Sequence, residues 1–290
     1  MITPQENYPK LAKVIGIPDL FLKREDLHPY GSHKGRSIPV MIDHYYKDGE
    51  RRFAISSSGN AALAAAIYIR EINTRNANPV ELDIFVGNHI TTSKLEYLQK
   101  IADKNIRILK KERPLQALIQ VSQEGVRSLR QSTDDTALVG YKSLAEELSL
   151  IKNLSAVFVG TSSGTTAQAL AQYFLENNLH IQVHIVQTSS CHPLSEAFAS
   201  YDGPEEDSIA DAIVDRSANR KSVLSPFLEK TGGYGWIATN DDILVAQELA
   251  SKYASLDIST NSALSIVGLM KAVYINHKIE GAVVCILGGN

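Results

Sequence analysis

A dense polar segment near the start of the chain is Lys23-Arg24-Glu25-Asp26-Leu27-His28-Pro29-Tyr30-Gly31-Ser32-His33-Lys34-Gly35-Arg36. The apolar pair Phe21-Leu22 precedes it and Pro and Gly punctuate it, so the pattern predicts a strand, a turn and a helix opening near Ser32. A lysine at a helix start meets the positive end of the helix dipole, which favours the neutral amine, and a neutral amine is a nucleophile or a base. For Lys34 taken alone, a solvated charged turn is the commoner outcome.

Two further clusters give that amine company. Ile55-Ser56-Ser57-Ser58-Gly59-Asn60-Ala61-Ala62 joins a strand pattern to a helical one, so backbone amides and the Asn60 side chain gather at a helix N-terminus suited to an anion. An ordinary Ser-capped loop has the same composition. Phe158-Val159-Gly160-Thr161-Ser162-Ser163-Gly164-Thr165-Thr166 sets two glycines and five hydroxyl residues between a strand and a helix. Glycines allow close approach, hydroxyls donate and the helix end favours negative charge, which together describe a phosphate cradle. It is neither GxGxxG nor a loop ending in Gly-Lys-Ser/Thr, so a small phosphorylated cofactor fits better than an adenine nucleotide. A fourth cluster, Cys285-Ile286-Leu287-Gly288-Gly289-Asn290, is a strand running into paired glycines, or simply a frayed end. Amine, asparagine loop and phosphate cradle are the aldehyde anchor, ring contact and phosphate anchor that pyridoxal 5'-phosphate needs.

The elements that must hold these loops alternate. Arg52–Ser56, Leu82–Val86, Ile106–Leu109, Ala156–Val159 and Gln182–Gln187 read as strands. Ala61–Ile72, Ser93–Ala102, Leu115–Leu129, Thr165–Leu175 and Leu194–Ala199 read as the helices that follow them. Helices over Ile243–Tyr253 and Ser262–Ile275 lead to a last strand, Ala282–Leu287. This is an α/β pattern of parallel sheets covered by helices. Tyr201–Asp207 and Asp215–Lys221 read as surface loops.

Composition narrows the partners. A net charge of -3, from 29 basic and 32 acidic residues spread along the chain, offers no field for nucleic acid or an anionic membrane. No window approaches a membrane span and Met1 to Lys10 lacks a leader pattern. Cys191 and Cys285 lie far apart in apolar stretches, the usage of a cytoplasmic protein with free thiols. His180 and His184, and His28 and His33, lack the spacing and companion ligands of a metal site.

The segment from Lys23 to Arg36 resembles the Lys-Arg-Glu-Asp-Leu-x-Pro-x-Gly-Ser-x-Lys-x-Arg signature of threonine synthases and serine/threonine dehydratases, members of the tryptophan-synthase-beta-like, fold type II group of pyridoxal-phosphate enzymes. Ser57-Ser58-Gly59-Asn60 looks like that group's Ser-Gly-Asn loop, and Gly160 to Thr165 is similar to its glycine-rich phosphate loop. The resemblance implies that Lys34 carries the cofactor as a Schiff base and is the catalytic base. It also implies that Asn60 contacts the ring hydroxyl, that Gly160, Thr161, Ser162, Ser163, Gly164 and Thr165 hold the phosphate, and that Ser57, Ser58, Gly59 and Ala61 receive the substrate carboxylate. Two lobes are implied, each an open, twisted, mostly parallel sheet: a large cofactor-binding one from residues 1–37 and 141–290, and a small mobile one from residues 38–140. A homodimer is common in the group.

Departures bear on the substrate. Leu287 stands where relatives place Ser, Thr or Cys against the pyridine nitrogen, Gly35 replaces a common aspartate, and Ala61 replaces a threonine that helps hold substrate. Ser-Ser-Gly-Asn-Ala-Ala and Ile209-Ala210-Asp211-Ala212-Ile213, with Ser208 before it, resemble the threonine synthase branch, which implies a lyase taking O-phosphohomoserine to threonine. The alternatives are a serine/threonine dehydratase, then β-replacement of the cysteine synthase type. The last is a catalytically silent paralogue that binds the cofactor, an option opened by Leu287.

Overall fold

The computed structural model describes residues 2–75, 78–88, 90–204 and 206–289 and, of Ser93, the backbone alone. Asn290 of the final Gly-Gly-Asn lies outside the described residues. In chain order come β1 (Gln5–Asn7), α1 (Pro9–Ile15), β2 (Leu20–Arg24), α2 (Lys34–Lys47), β3 (Arg52–Ser56), α3 (Asn60–Arg75), β4 (Glu81–Gly87), α4 (Thr92–Ile101), β5 (Ile106–Lys111), α5 (Pro114–Gln123) and β6 (Arg127–Ser128). There follow α6 (Thr136–Gly140), α7 (Lys142–Ser149), β7 (Leu154–Gly160), α8 (Thr165–Glu176), β8 (Gln182–Thr188), α9 (Lys221–Thr231), β9 (Gly235–Ala238), α10 (Asn240–Ala254), α11 (Thr260–Tyr274) and β10 (Ala282–Leu287). The chain divides into two compact units, Met1–Leu27 with Tyr141–Asn290, and His28–Gly140. The division puts residues 28–37 with the smaller unit, where α2 packs on α3 and α6.

The larger unit is a six-stranded sheet in the order β1-β2-β10-β7-β8-β9, parallel except for β1. The inner strand β10 reads as an unbroken apolar run, and every residue of its Ala-Val-Val-Cys-Ile-Leu is buried, as a strand covered on both faces requires. Leu20, Leu22, Phe158, Val186, Leu264, Val283 and Leu287 share its core. The smaller unit is a four-stranded sheet, β5-β4-β3-β6, parallel throughout. Its core joins Ile38, Met41, Phe53, Ile84 and Val86 to the buried alanines 62 and 64–66 of α3, whose small side chains let that helix lie close. Among the described residues no helix is long and apolar enough to cross a membrane.

Three local expectations are corrected. The helix expected over Leu115–Leu129 stops at Gln123: Gly125 takes φ +89°, and Arg127–Ser128 joins the sheet beside Phe53 and Ala54. Val126 and Leu129 are buried and fall at helical spacing, so the apolar period misleads there. Leu194–Ala199 forms a single 3-10 turn over Ser195–Ala197, short enough for Gly235 of β9 to approach it, since a Cβ on Gly235 would stand 2.9 Å from the Ser195 Cα. Asp215–Lys221 is not all surface, because Arg220 is buried and Lys221 opens α9.

Candidate active site

Within the smaller unit, Lys34 is the first residue of α2 and is half-buried, and its backbone N–H donates to Ser32 Oγ at 3.3 Å. The turn before it is made by Gly31 at φ +79°, whose N–H donates to His28 O at 2.7 Å. A Cβ on Gly31 would stand 2.9 Å from Leu63 Cδ2, so the lysine turn is seated on the first turn of α3, the helix that Asn60 opens. Ser57, Ser58, Gly59, Asn60 and Ala61 are all half-buried, and Ser57 Oγ accepts from the Gly59 N–H at 3.3 Å. A Cβ on Gly59 would meet nothing within 4 Å, so there is open space beside this loop. The first amides of the 16-residue α3 have no acceptor within their own helix, and a carboxylate there would be stabilised by them. The structure therefore brings the amine and the asparagine loop to one end of one unit.

Gly35 has a packing cause. An added Cβ would lie 2.3 Å from His28 Nδ1 and 2.8 Å from Tyr30 Cβ, so the buried His28 ring occupies the place a side chain would take.

The charges upstream of Lys34 are structural and belong to the larger unit. Lys23 is fully buried, and its Nζ donates to Thr3 O at 2.8 Å, Gln5 Oε1 at 3.2 Å and Glu147 Oε2 at 2.5 Å. Buried Glu25 accepts from Thr3 Oγ1, while Arg24 and Asp26 form a forked pair.

In the larger unit the chain runs β7, β8, β9 outward, then returns to lay β10 on the other side of β7. Such a reversal opens a crevice at the carboxyl ends of the two strands, the place where open α/β sheets bind ligands. Gly160–Thr165 follows β7 there, and Gly288-Gly289 follows β10. Gly289 is pinned to the start of α11: its carbonyl accepts from Ser259 Oγ at 2.8 Å and its N–H donates to Ser262 Oγ at 3.3 Å. Leu287, the last residue of β10, is fully buried in the sheet's core, so packing claims that side chain.

The glycine-rich loop fits a phosphate. Gly164 sits at φ +82° as the N-cap of the 12-residue α8, and a Cβ there would strike Leu224 Cδ2 at 2.7 Å. Thr161 Oγ1 accepts from the Gly164 N–H at 3.0 Å and closes the loop, and Ser163 and Thr165 share a hydroxyl contact of 2.9 Å at the helix start. Ser162 points elsewhere: its Oγ accepts from the Val214 and Asp215 N–H groups at 3.0 and 2.9 Å, tying down the segment that leads to α9. Gly160 is a glycine for packing, since a Cβ would be 2.9 Å from Leu264 Cβ. The anion-binding capacity therefore lies in the amides of α8 and the hydroxyls of Ser163 and Thr165 more than in Thr161 and Ser162.

Sequence reasoning passed over two features of this unit. Arg220 is 5% exposed and its Nη1 donates to Gln168 Oε1 at 2.9 Å; a polar, basic neighbourhood masked its burial. A cavity of about 530 Å³ after β8 is lined by Ser189, Cys191, His192, Glu206, Asp207 and Arg216 among others, and burial pushes the Cys191 thiol up. Among the described residues no group of three or more His, Cys, Asp or Glu gathers as a metal site.

A family model described as pyridoxal-phosphate dependent enzyme matches residues 2–289. The threonine synthase of Methanosarcina acetivorans is 27% identical over 307 residues, covering 99% of this chain and 74% of that protein. The threonine synthase of Methanocaldococcus jannaschii is 25% identical over 287 residues, covering 93% and 69%. Among solved structures, a pyridoxal 5'-phosphate-dependent aspartate racemase superposes with a TM-score of 0.84 over 100% of this chain and 90% of that one, at 20% identity.

Proposed function

The chain belongs to the pyridoxal-phosphate dependent enzyme family with the fold type II architecture, and from that premise we propose that it is a lyase of the threonine synthase kind, taking O-phosphohomoserine to threonine. The observation that carries this reading is likeness to two threonine synthases along nearly the whole chain. Lys34 is the anchor for the cofactor's aldehyde, Asn60 the partner of its ring hydroxyl, and the loop from Gly160 to Thr165 the seat of its phosphate.

When bound, the cofactor supplies a conjugated electron sink for the pair left at the substrate α-carbon. The chain's own residues do the rest. The Lys34 amine takes the α-proton and returns it later, a transfer that needs the amine within hydrogen-bond reach of that carbon. The N–H groups at the start of α3, with Ser57 and Ser58, hold the substrate carboxylate and so fix which bond at the α-carbon is broken. Ala61 carries no hydroxyl for the substrate, leaving Ser57 and Ser58 as the nearby donors.

The test is turnover of the cofactor-loaded protein with O-phosphohomoserine, L-threonine and L-serine offered separately. Release of inorganic phosphate with formation of threonine supports the proposal. Ammonia with 2-oxobutyrate or pyruvate replaces it by a dehydratase, and retained cofactor without turnover of any of the three replaces it by a silent binding paralogue.

A further inference from the structure

We propose that Tyr30 and Glu71 are positioning residues for Lys34: the hydrogen bond between them clasps the lysine turn to α3 and fixes where the amine stands relative to Asn60. The inference rests on the reading of Lys34 as the anchor of the cofactor's aldehyde.

Lys34 and Asn60 open two helices of the smaller unit that pack on each other, α2 and α3, so their separation depends on how one helix is set along the other. Ile38 and Met41 of α2 share a core with the buried alanines 62 and 64–66 of α3. Hydrophobic attraction is non-directional, and alanines have no long side chain to interlock. Two phenol-to-carboxylate bonds of opposite sense supply the direction. Tyr68 OH of α3 donates to Asp43 Oδ1 of α2 at 2.5 Å, and Tyr30 OH, in the turn before α2, donates to Glu71 Oε2 of α3 at 2.8 Å. The two rings meet edge to face, with 6.0 Å between centroids and 76° between planes. Asp43 lies in the third turn of α2, so the Tyr68 bond ties the body of that helix. Tyr30 precedes Lys34 by four residues, so its bond ties the turn that carries the amine.

Contacts within the turn shape it without placing it. Ser32 Oγ accepts from the Lys34 N–H at 3.3 Å, and Ser32 O accepts from the Gly35 N–H at 3.0 Å. The Tyr30 N–H donates to His28 Nδ1 at 3.2 Å, and the His28 ring fills the space beside Gly35. Tyrosine, histidine and the first turn of α2 are thereby one piece. Gly31 sets how closely that piece approaches Leu63, and the bond to Glu71 holds it there. A bond from a phenol to a carboxylate is charge-assisted. Burial first, and then that bond, push the Tyr30 phenol up to about 12, so it is a donor at neutral pH.

Lys34 joins the cofactor by forming a C=N bond between its amine and the aldehyde carbon, with the aldehyde oxygen leaving as water. The equilibrium of that step follows the effective concentration of the amine at the aldehyde, which a loosened turn lowers. The phosphate seat from Gly160 to Thr165 belongs to the larger unit, so its grip does not depend on the clasp.

The experiment compares pyridoxal 5'-phosphate with pyridoxine 5'-phosphate, which keeps the ring and the phosphate and carries an alcohol in place of the aldehyde. Dissociation constants of the full chain for both are measured by titration calorimetry. The wild type should prefer the aldehyde compound, and Lys34→Ala should remove that preference; if it does not, Lys34 is not the anchor and the proposal falls with that reading. Tyr30→Phe keeps the ring and loses the hydroxyl, and should reduce the preference by roughly threefold to tenfold with the constant for pyridoxine 5'-phosphate unchanged. Glu71→Leu should reproduce that loss, and Glu71→Gln, which retains an acceptor for the phenol, should restore most of the preference. Should Tyr30→Phe not fold, the two Glu71 variants make the same comparison. Arg107→Gln weakens the forked pair with Asp83 at the β5 edge of the same sheet, away from the turn, and should leave the preference intact. The proposal is overturned, and the clasp left a structural contact, by a preference that survives in Tyr30→Phe while Lys34→Ala removes it, by equal loss for both compounds, or by the same loss in Arg107→Gln.

Discussion

Lowering the pH should destabilise the larger unit through one histidine. His184 of β8 is fully buried, stacked on Phe158 at 4.3 Å between ring centroids and 6° between planes. Its Nδ1 accepts from Trp236 Nε1 at 3.2 Å, and its Nε2 faces Gln182 Oε1 at 3.0 Å. An indole N–H can only donate, so Nδ1 must be bare and Nε2 must carry the proton; both nitrogens of the neutral ring are satisfied. A second proton would break the Trp236 bond and bury a charge beside His277, whose ring lies 5.0 Å away. Burial first, and the charge of His277 second, hold the group down from 6.5 to about 3. The folded chain thus refuses a proton that the unfolded chain accepts below pH 6.5. Stability from this group is complete above that pH and is lost as pH falls toward 3, by about 1.4 kcal/mol per unit. Between pH 7.5 and pH 4.5 the loss is about 2.7 kcal/mol. Trp236 is the only tryptophan, so its fluorescence during denaturant unfolding reports on this unit. Comparison with His184→Gln, which accepts from the indole without titrating, subtracts the carboxylates that also respond to acid. If the stability difference between wild type and variant is the same at both pH values, the reasoning is wrong.

Other expectations follow from single contacts. Lys34→Ala should abolish the visible absorbance of the protein loaded with pyridoxal 5'-phosphate; absorbance that survives means another lysine holds the cofactor. Gly35→Ala should cost about 1–3 kcal/mol in a melt of the smaller unit, because its Cβ meets the His28 ring, and His28→Ala in the same chain should restore part of it. Glu147→Leu leaves the Lys23 ammonium buried without its carboxylate and should cost about 3–5 kcal/mol, whereas the double variant with Lys23→Met should recover most of that; equal stability of the two variants would sink the account.

Much of this was visible in the chain, and the failures have causes. The loops at Ser57–Asn60 and Gly160–Thr165 were legible because small polar residues between an apolar run and a helical period have few uses, and both fall between a strand and a helix. Lys34 at the first position of α2 was legible from the Pro and Gly before it. Arg220 was not, since nothing in Arg-Ser-Ala-Asn-Arg-Lys tells a buried guanidinium from an exposed one; its acceptor Gln168 comes from a separate helix. The charged run from Lys23 to Asp26 looked like part of a reactive segment. Its partners Thr3, Gln5 and Glu147 are set by the tertiary fold, and only they reveal that Lys23 is a strut. Gly35 read as a lost aspartate until the His28 ring was seen in its place. The short turn at Ser195 and the break at Gly125 carried the same apolar spacing as helices, so periodicity could not separate them.

The position of β10 has a consequence for how the chain assembles during synthesis. β2 leaves the ribosome early, yet one of its two neighbours in the sheet is β10, the last of the described strands in chain order, and β10 is also the strand that joins β2 to β7. Residues 28–140, by contrast, are one continuous stretch, and among the described residues its strands β3 to β6 pair with one another alone. The smaller unit can therefore complete its sheet while translation continues, and β2 waits with a single antiparallel partner, β1, until more than two hundred further residues have emerged. Lys34 would then stand on finished scaffolding well before the glycine-rich loop has the rest of its sheet, which orders the growth of the two halves in time.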